Sequence, residues 1–268
     1  MSRMRILIYL LLIALFALPI LAQEDDDGGK TLPGEEDSAA DTTDSEDDDD
    51  ENDSENRDDD DDDEDDIDLE DMLEQGDVEI TVGDVLLEVD FSDEDDWENY
   101  EEETRFVLVD DDEYVGEVEE NNFIWGQHDE VYEDVVIQVT ARQDGGEDNN
   151  GYGVICRTEE DVNTFDGYHF LIDGLGNGAI LRYDADDGYT ALATWDQFDE
   201  INVDDEPNIM HIVCVDEYLA LYVNGELIAE AEDDEYDEGV VSFVVINLED
   251  DGFARAIFDD LIVYEAED

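Results

Sequence analysis

Of 268 residues, 89 are Asp or Glu and nine are Lys or Arg, giving a formal charge of −80 at pH 7. Such a chain has no basic patch with which to release counterions from phosphate, so DNA, RNA and anionic membrane surfaces are excluded as partners. Hydrophobic residues still make up 41% of it, which requires the polar and apolar stretches to be segregated along the sequence.

Residues 1–22 carry Arg3 and Arg5, an apolar run from Ile6 to Leu18, Pro19 and a small residue at Ala22. This is the layout of a secretory signal peptide cleaved after Ala22, the alternative being an uncleaved anchor. No other segment invites a membrane. Residues 23–83 contain 32 Asp or Glu against Lys30 and Arg57, too little apolar surface to offset chain entropy, and are expected to form a disordered acidic linker. Ile67, Leu69, Met72 and Leu73 could form one helical turn where that linker meets a domain.

Residues 84–268 hold 57 Asp or Glu, five Arg and no Lys, yet are rich in Val, Ile, Tyr and Phe. Strand patterns recur through them. Residues 85–91 begin the series, followed by Trp97 as a core plug, a hairpin through Asp110, Asp111 and Asp112, a short strand at 122–125 and a long one at 133–143. Further strands are expected at 152–157, 167–173, 178–183, 189–195, 239–246, 253–258 and 261–264. Asn224-Gly225 marks a type I′ hairpin within 208–234, because both central residues of that turn need positive φ. A plain two-residue turn places Val223 opposite Glu226, Leu221 opposite Ile228 and Leu219 opposite Glu230, with Tyr218, Ala220, Tyr222, Leu227, Ala229 and Ala231 on the other face. Both faces are largely apolar, so the hairpin belongs inside a layered structure. With hardly a helical period, turn signals every eight to twelve residues and about thirteen strands, the expected fold is all-β, an antiparallel two-sheet β-sandwich of jelly-roll type.

Cys156 and Cys214 are the only cysteines. An even pair in an exported chain favours a disulfide, with two buried free thiols as the alternative. His128, His169 and His211 have no partners at diagnostic spacing, and His169 and His211, in strand patterns, are expected to be structural. Asp184, Asp186 and Asp187, just before Gly188, partly match a calcium loop but lack the distal glutamate of an EF-hand, so an Asp-Gly turn explains them more simply; calcium is the one cofactor the sequence offers.

The order Val89-Asp90-Phe91-Ser92-Asp93 with Trp97, Tyr152-Gly153-Val154-Ile155-Cys156-Arg157, Tyr168-His169-Phe170, Val213-Cys214-Val215, Leu219-Ala220-Leu221-Tyr222-Val223-Asn224-Gly225 and Phe258-Asp259-Asp260-Leu261-Ile262-Val263 resembles exported domains of the concanavalin A-like lectin/glucanase superfamily, near the laminin G-like and 3-keto-disaccharide hydrolase domains. The resemblance covers about residues 85–265. It implies two antiparallel sheets, first and last strands side by side, and a face that binds glycans. The paired carboxylates of retaining glucanases have no counterpart within the domain, the nearest match, Asp66 to Glu70, falling in the linker. Candidates for stacking on sugar rings are Trp125, Tyr168, Tyr183, Tyr189 and Trp195, with Arg157 and Arg182 as donors; core packing and salt bridges are the competing uses. The sequence therefore points to a non-catalytic glycan-binding module at the cell surface or outside it. A glycoside-active enzyme of the keto-disaccharide hydrolase type and a structural spacer are the alternatives, and no pattern fixes an oligomeric state.

So many like charges on a foldable segment oppose compaction unless salt shortens their reach, which at about 1 M is only ~3 Å. The composition thus fits either a salt-adapted protein or an Asp-rich buffer of divalent ions. Salt adaptation predicts that circular dichroism and thermal melting show loss of structure on dialysis from molar to low salt. A melting curve unchanged by that dialysis would refute it.

Overall fold

The computed structural model describes residues 69–93, 97–159 and 164–268. The signal-peptide expectation and most of the linker lie outside the described residues. Fifteen strands follow one short helix: α1 (Leu69–Leu73), β1 (Thr81–Val89), β2 (Tyr100–Glu101), β3 (Arg105–Asp110), β4 (Glu113–Glu119), β5 (Asn122–Tyr132), β6 (Val135–Gly146), β7 (Gly151–Thr158) and β8 (Gly167–Asp173). The remainder are β9 (Asn177–Asp184), β10 (Gly188–Gln197), β11 (Asn208–Val215), β12 (Tyr218–Val223), β13 (Glu226–Glu232), β14 (Gly239–Asn247) and β15 (Phe253–Glu267). They form two antiparallel sheets, as expected. One has nine strands in the order β13-β12-β11-β6-β15-β4-β3-β2, with β1 also paired to β15, and the other six in the order β10-β9-β8-β7-β14-β5.

First and last strands do lie side by side, with Val89 opposite Leu261 and Thr81 opposite Glu267. β4 and β1 share one edge of β15 end to end, β4 pairing with residues 253–258 and β1 with 261–267. The break between them falls at Asp259 and Asp260, where the ladder to β6 also shifts and Asp260 has φ 50.

Between the sheets lies the main core. Ile137, Val139, Met210, Ile212, Leu219, Leu221 and Val263 from the nine-stranded sheet meet Ile124, Val154, Phe170, Ile172, Val241 and Phe243 from the six-stranded one. Trp97 plugs one end, its ring 5.0 Å from Phe243, which in turn stacks on Phe258 at 4.4 Å. Cys156 on β7 and Cys214 on β11 are joined by a disulfide, so the covalent link staples one sheet to the other through the core.

The central hairpin turns as expected, with positive φ at Asn224 (52°) and Gly225 (86°). Asn224 also holds its surroundings: Oδ1 accepts the Ile209 N–H, and Nδ2 donates to the Glu200 carbonyl and Asn208 Oδ1. The register differs from the expected one beyond the first two pairs. Val223 faces Glu226 and Tyr222 faces Leu227, but Leu221 faces Ala229 and Leu219 faces Ala231, because Ile228 is an extra, bulged residue. A bulge reverses the side on which later residues point. Ala229 and Ala231 therefore pack on the core rather than beside Tyr218 and Tyr222.

The linker boundary at residue 83 is also corrected. Residues 69–82 belong to the sandwich: Met72, Leu73, Val78, Ile80 and Val82 cover Val213, Val215, Tyr218, Ala220 and Tyr222 on the outer face of the nine-stranded sheet. Polar contacts clip this strap to β13, Gln75 donating from Nε2 to the Gly225 carbonyl and accepting the Leu227 N–H, while the Asp77 N–H donates to Glu230 Oε2. Composition hid it because acidic residues alternate with the apolar ones that make contact.

Closing the loop between Cys156 and Cys214, 58 residues apart in sequence, contributes roughly 4 kcal/mol on the chain-entropy model. Replacing both cysteines by serine should lower unfolding stability by about that amount in denaturant titrations at molar salt. A double variant as stable as the parent would show that the staple adds nothing.

Candidate functional site

Four of the seven residues singled out for glycan contact come together. Trp125, Tyr183, Tyr189 and Trp195 all lie on the outer face of the six-stranded sheet, in an apolar layer with Ile155, Leu171, Val244 and Ile246. The pairing registers give this layer its order. Trp125 on β5 pairs with Val244 on β14, Val244 with Gly153 on β7, Gly153 with Leu171 on β8, and Leu171 with Ala179 on β9. Trp195 on β10 precedes Asp196, which pairs with Gly178, so it closes the same row next to Ala179. Two half-buried tryptophans thus stand on the two edge strands of one sheet, in one row across it. Five strand spacings separate them, about 24 Å of sheet.

The row has a small residue at its centre. A Cβ built at Gly153 would overlap the Phe170 carbonyl oxygen, so the backbones of β7 and β8 exclude any side chain there. Around Trp125 the aromatic surface widens, with Phe123 at 5.9 Å on the same strand face. Phe165, from the segment before β8, inserts among these rings, 4.3 Å from Phe123, 5.0 Å from Trp125 and 4.2 Å from Tyr183 at an interplanar angle of 14°. The exposed part of the surface is Phe123, Trp125 and Trp195; Phe165, Tyr183 and Tyr189 are its buried foundation.

Two polar residues fix the rings. Asp173 is buried, and burial raises its pKa above the ordinary carboxylate value against the pull of its hydrogen bonds. Its Oδ1 accepts the backbone N–H groups of Leu175 and Asn177, the Asn177 amide reaches both oxygens, and the Trp195 side chain donates to it as well. The carboxylate therefore orients the Trp195 indole. His169, fully buried, has its pKa pushed down to about 4 by desolvation. The Phe165 carbonyl, 2.9 Å from Nε2, can only accept, so Nε2 carries the proton and Nδ1 is left to accept from the Tyr189 hydroxyl at 3.4 Å. This neutral imidazole ties Phe165 to Tyr189 and has no nucleophile beside it among the described residues.

The other three candidates are structural. Strand alternation turns Tyr168, one residue before His169, into the inter-sheet core, where its hydroxyl donates to Asp233 Oδ1 and accepts from the backbone of Glu235 and Tyr236. Arg182 pairs with Tyr168 across the sheet and holds both Asp233 oxygens, at 3.0 and 2.8 Å. Arg157 is 3% exposed and knots three connections: Nε donates to the Glu133 carbonyl, Nη1 to the Asp216 and Tyr236 carbonyls, and Nη2 to Asp134 Oδ1. The Asp184 carboxylate closes its own turn, accepting the N–H groups of Asp186 and Asp187. Among the described residues, no three acidic, His or Cys side chains are grouped to hold a metal ion. Two cavities, of about 910 and 610 Å³, share no lining residue with the aromatic layer, the larger being lined mainly by carboxylates around the knotted Arg157.

Two stacked antiparallel sheets with a disulfide between them and an aromatic outer layer define a concanavalin A-like β-sandwich. Residues 88–254 match the 3-keto-alpha-glucoside-1,2-lyase-like domain, and the chain belongs to that family. No curated protein matches it significantly. Similar solved structures include a CBM66 carbohydrate-binding module from Bacillus subtilis, with 15% identity and a TM-score of 0.46 over 70% of this chain and 95% of that one. A galectin-like-fold protein from Bacillus subtilis shows 16% identity and a TM-score of 0.47 over 70% of this chain and 98% of that one. An endo-β-galactosidase from Clostridium perfringens that releases GlcNAcα1-4Gal shows 11% identity and a TM-score of 0.48 over 68% and 62%.

His211 resembles His169 electrostatically: burial lowers its pKa to about 4, and Gln138 Oε1 lies 3.1 Å from Nε2. A histidine held neutral in the fold but titrating normally when unfolded contributes stability that is complete above pH 6.5 and is lost as pH falls toward 4. Between pH 7 and 5, where carboxylates of ordinary pKa remain ionised, stability in molar salt should drop by about 2 kcal/mol per histidine. Denaturant midpoints at the two pH values test this, and His169→Gln and His211→Gln should each flatten the profile. A parent profile that is flat from the outset would refute it.

Proposed function

We propose that this domain is a non-catalytic carbohydrate-binding module, exported and acting at the cell surface or outside it, whose ligand stacks on the outer face of the six-stranded sheet. The observation that carries the reading is the placement of Trp125 and Trp195 on opposite edge strands of one row, half-buried, with Phe123 beside the first. Sugar rings present apolar C–H faces that aromatic side chains cover, and two anchors about 24 Å apart suit a chain of several sugars better than a single ring. Rings fixed from below by Phe165, Asp173 and His169 lose little freedom on binding, which favours recognition by a preformed surface.

Membership of a sugar-active family favours one other reading, a glycoside-cleaving enzyme. The two readings differ in what convergent polar groups must do. Here the polar groups at the aromatic layer are spent on holding it: Asp173 is saturated with donors, and both His169 nitrogens are engaged.

A glycan array followed by affinity electrophoresis, both in molar KCl, tests the proposal. Saturable binding without product release is expected, and Trp125→Ala or Trp195→Ala should each weaken it roughly tenfold, the effect of losing one aromatic anchor. Release of reducing ends would replace the module by an enzyme. Binding that survives both substitutions unchanged would place the ligand elsewhere.

A further inference from the structure

We infer that the aromatic face selects glycans without negative charge, neutral or amino sugars, and rejects uronates and sulfated sugars by local chemistry that persists when salt screens the domain's overall charge. This rests on the reading of that face as a glycan platform. Cations are few in the domain, and all are engaged. Residues 84–268 contain no Lys and five Arg, and each Arg is committed. Arg105 bonds Glu102 and the Phe123 carbonyl, Arg142 pairs with Glu113, and Arg255 with Asp144 and Glu117. Arg157 is buried in its knot and Arg182 is held by Asp233 and Glu235. His169 and His211 are buried and neutral, and His128 is stacked on Trp97.

The remaining ways of meeting an anion are missing from the face too. Amides of the four inner strands of this row are used by the ladders on either side, and the one described helix, α1, lies on the other sheet. No metal-binding group is assembled among the described residues to bridge a sugar carboxylate to the protein. What the row does offer is hydrocarbon and rings, with the buried Asp173 carboxylate at one end. A carboxylate or sulfate brought onto such a surface loses hydration with no charge-assisted partner in return, whereas a hydroxyl can keep its outward water. A protonated amine also loses hydration, but the negative π faces of Trp125 and Trp195 attract a cation and repel an anion.

Two effects must be separated, because a domain this acidic repels any anionic polymer at low salt. In molar KCl that long-range repulsion is screened within ~3 Å, and only contact chemistry remains. The experiment is affinity electrophoresis of the full chain in 2 M KCl, or about that, through gels containing a β-1,3-glucan, a mannan or a galactan. Each polymer is used neutral and as its carboxymethylated and sulfated derivatives. Retardation by at least one neutral polymer is expected, with its anionic derivatives at least tenfold weaker. Ala191→Lys, an exposed change on the same face of β10, should recover binding of the carboxymethylated form while leaving the neutral one nearly unchanged. Equal binding of neutral and anionic forms by the parent overturns the inference but leaves the glycan platform standing. No retardation by any polymer removes the platform, and the inference with it.

Discussion

The structure depends on apolar burial strong enough to hold together a domain whose carboxylates outnumber its cations more than tenfold. Two sheets provide it by burying side chains on more than their facing surfaces. The inter-sheet core runs from Val89 to Val263, the outer face of the nine-stranded sheet is buried under α1 and the residues after it, and the outer face of the six-stranded sheet carries its own apolar layer. Strands such as β7, β8, β12 and β14 are buried along their whole length, on both faces. Burial on both faces is what permits the negative charge to be pushed out to loops and edges, where water and counterions can reach it.

The few cations serve the same end. A lone surface ion pair adds little stability, yet here Arg157, Arg182 and Arg255 each tie acidic segments back onto the sheets. Arg157 gathers Glu133, Asp134, Asp216 and Tyr236 from three connections at one end of the sandwich, next to the Cys156–Cys214 disulfide. Arg182 draws Asp233 and Glu235 back onto β9. Expelled acid and scarce base together explain why the aromatic layer holds no free cation. Its chemistry is a by-product of how the fold is kept closed.

Much of this was legible in the residues. Alternation and turn chemistry located the strands, the Asn224-Gly225 hairpin and the core role of Trp97, and the order of motifs pointed to the sandwich. The site was harder for a physical reason. Because both faces of the six-stranded sheet are apolar, alternation could not say whether Tyr168 or His169 pointed outward, and Tyr168 was grouped with residues it does not accompany. Trp125 and Trp195 share a row only because β14, β7, β8 and β9 come between their strands, an order that no local pattern encodes. Phe165 sits in a connection without periodicity, and the bulge at Ile228 breaks the very alternation used to assign faces. The helical turn at Leu69–Leu73 was legible, but the rest of the strap, to residue 82, was missed because its charge resembles the linker before it.

That strap gives the domain a front and a back. The described chain enters on the outer face of the nine-stranded sheet, with Met72 and Leu73 seated against Tyr218 and Tyr222, while the row from Trp125 to Trp195 is on the outer face of the opposite sheet. Strap and aromatic row thus take opposite outer faces, and the segment that buries the one does not cover the other.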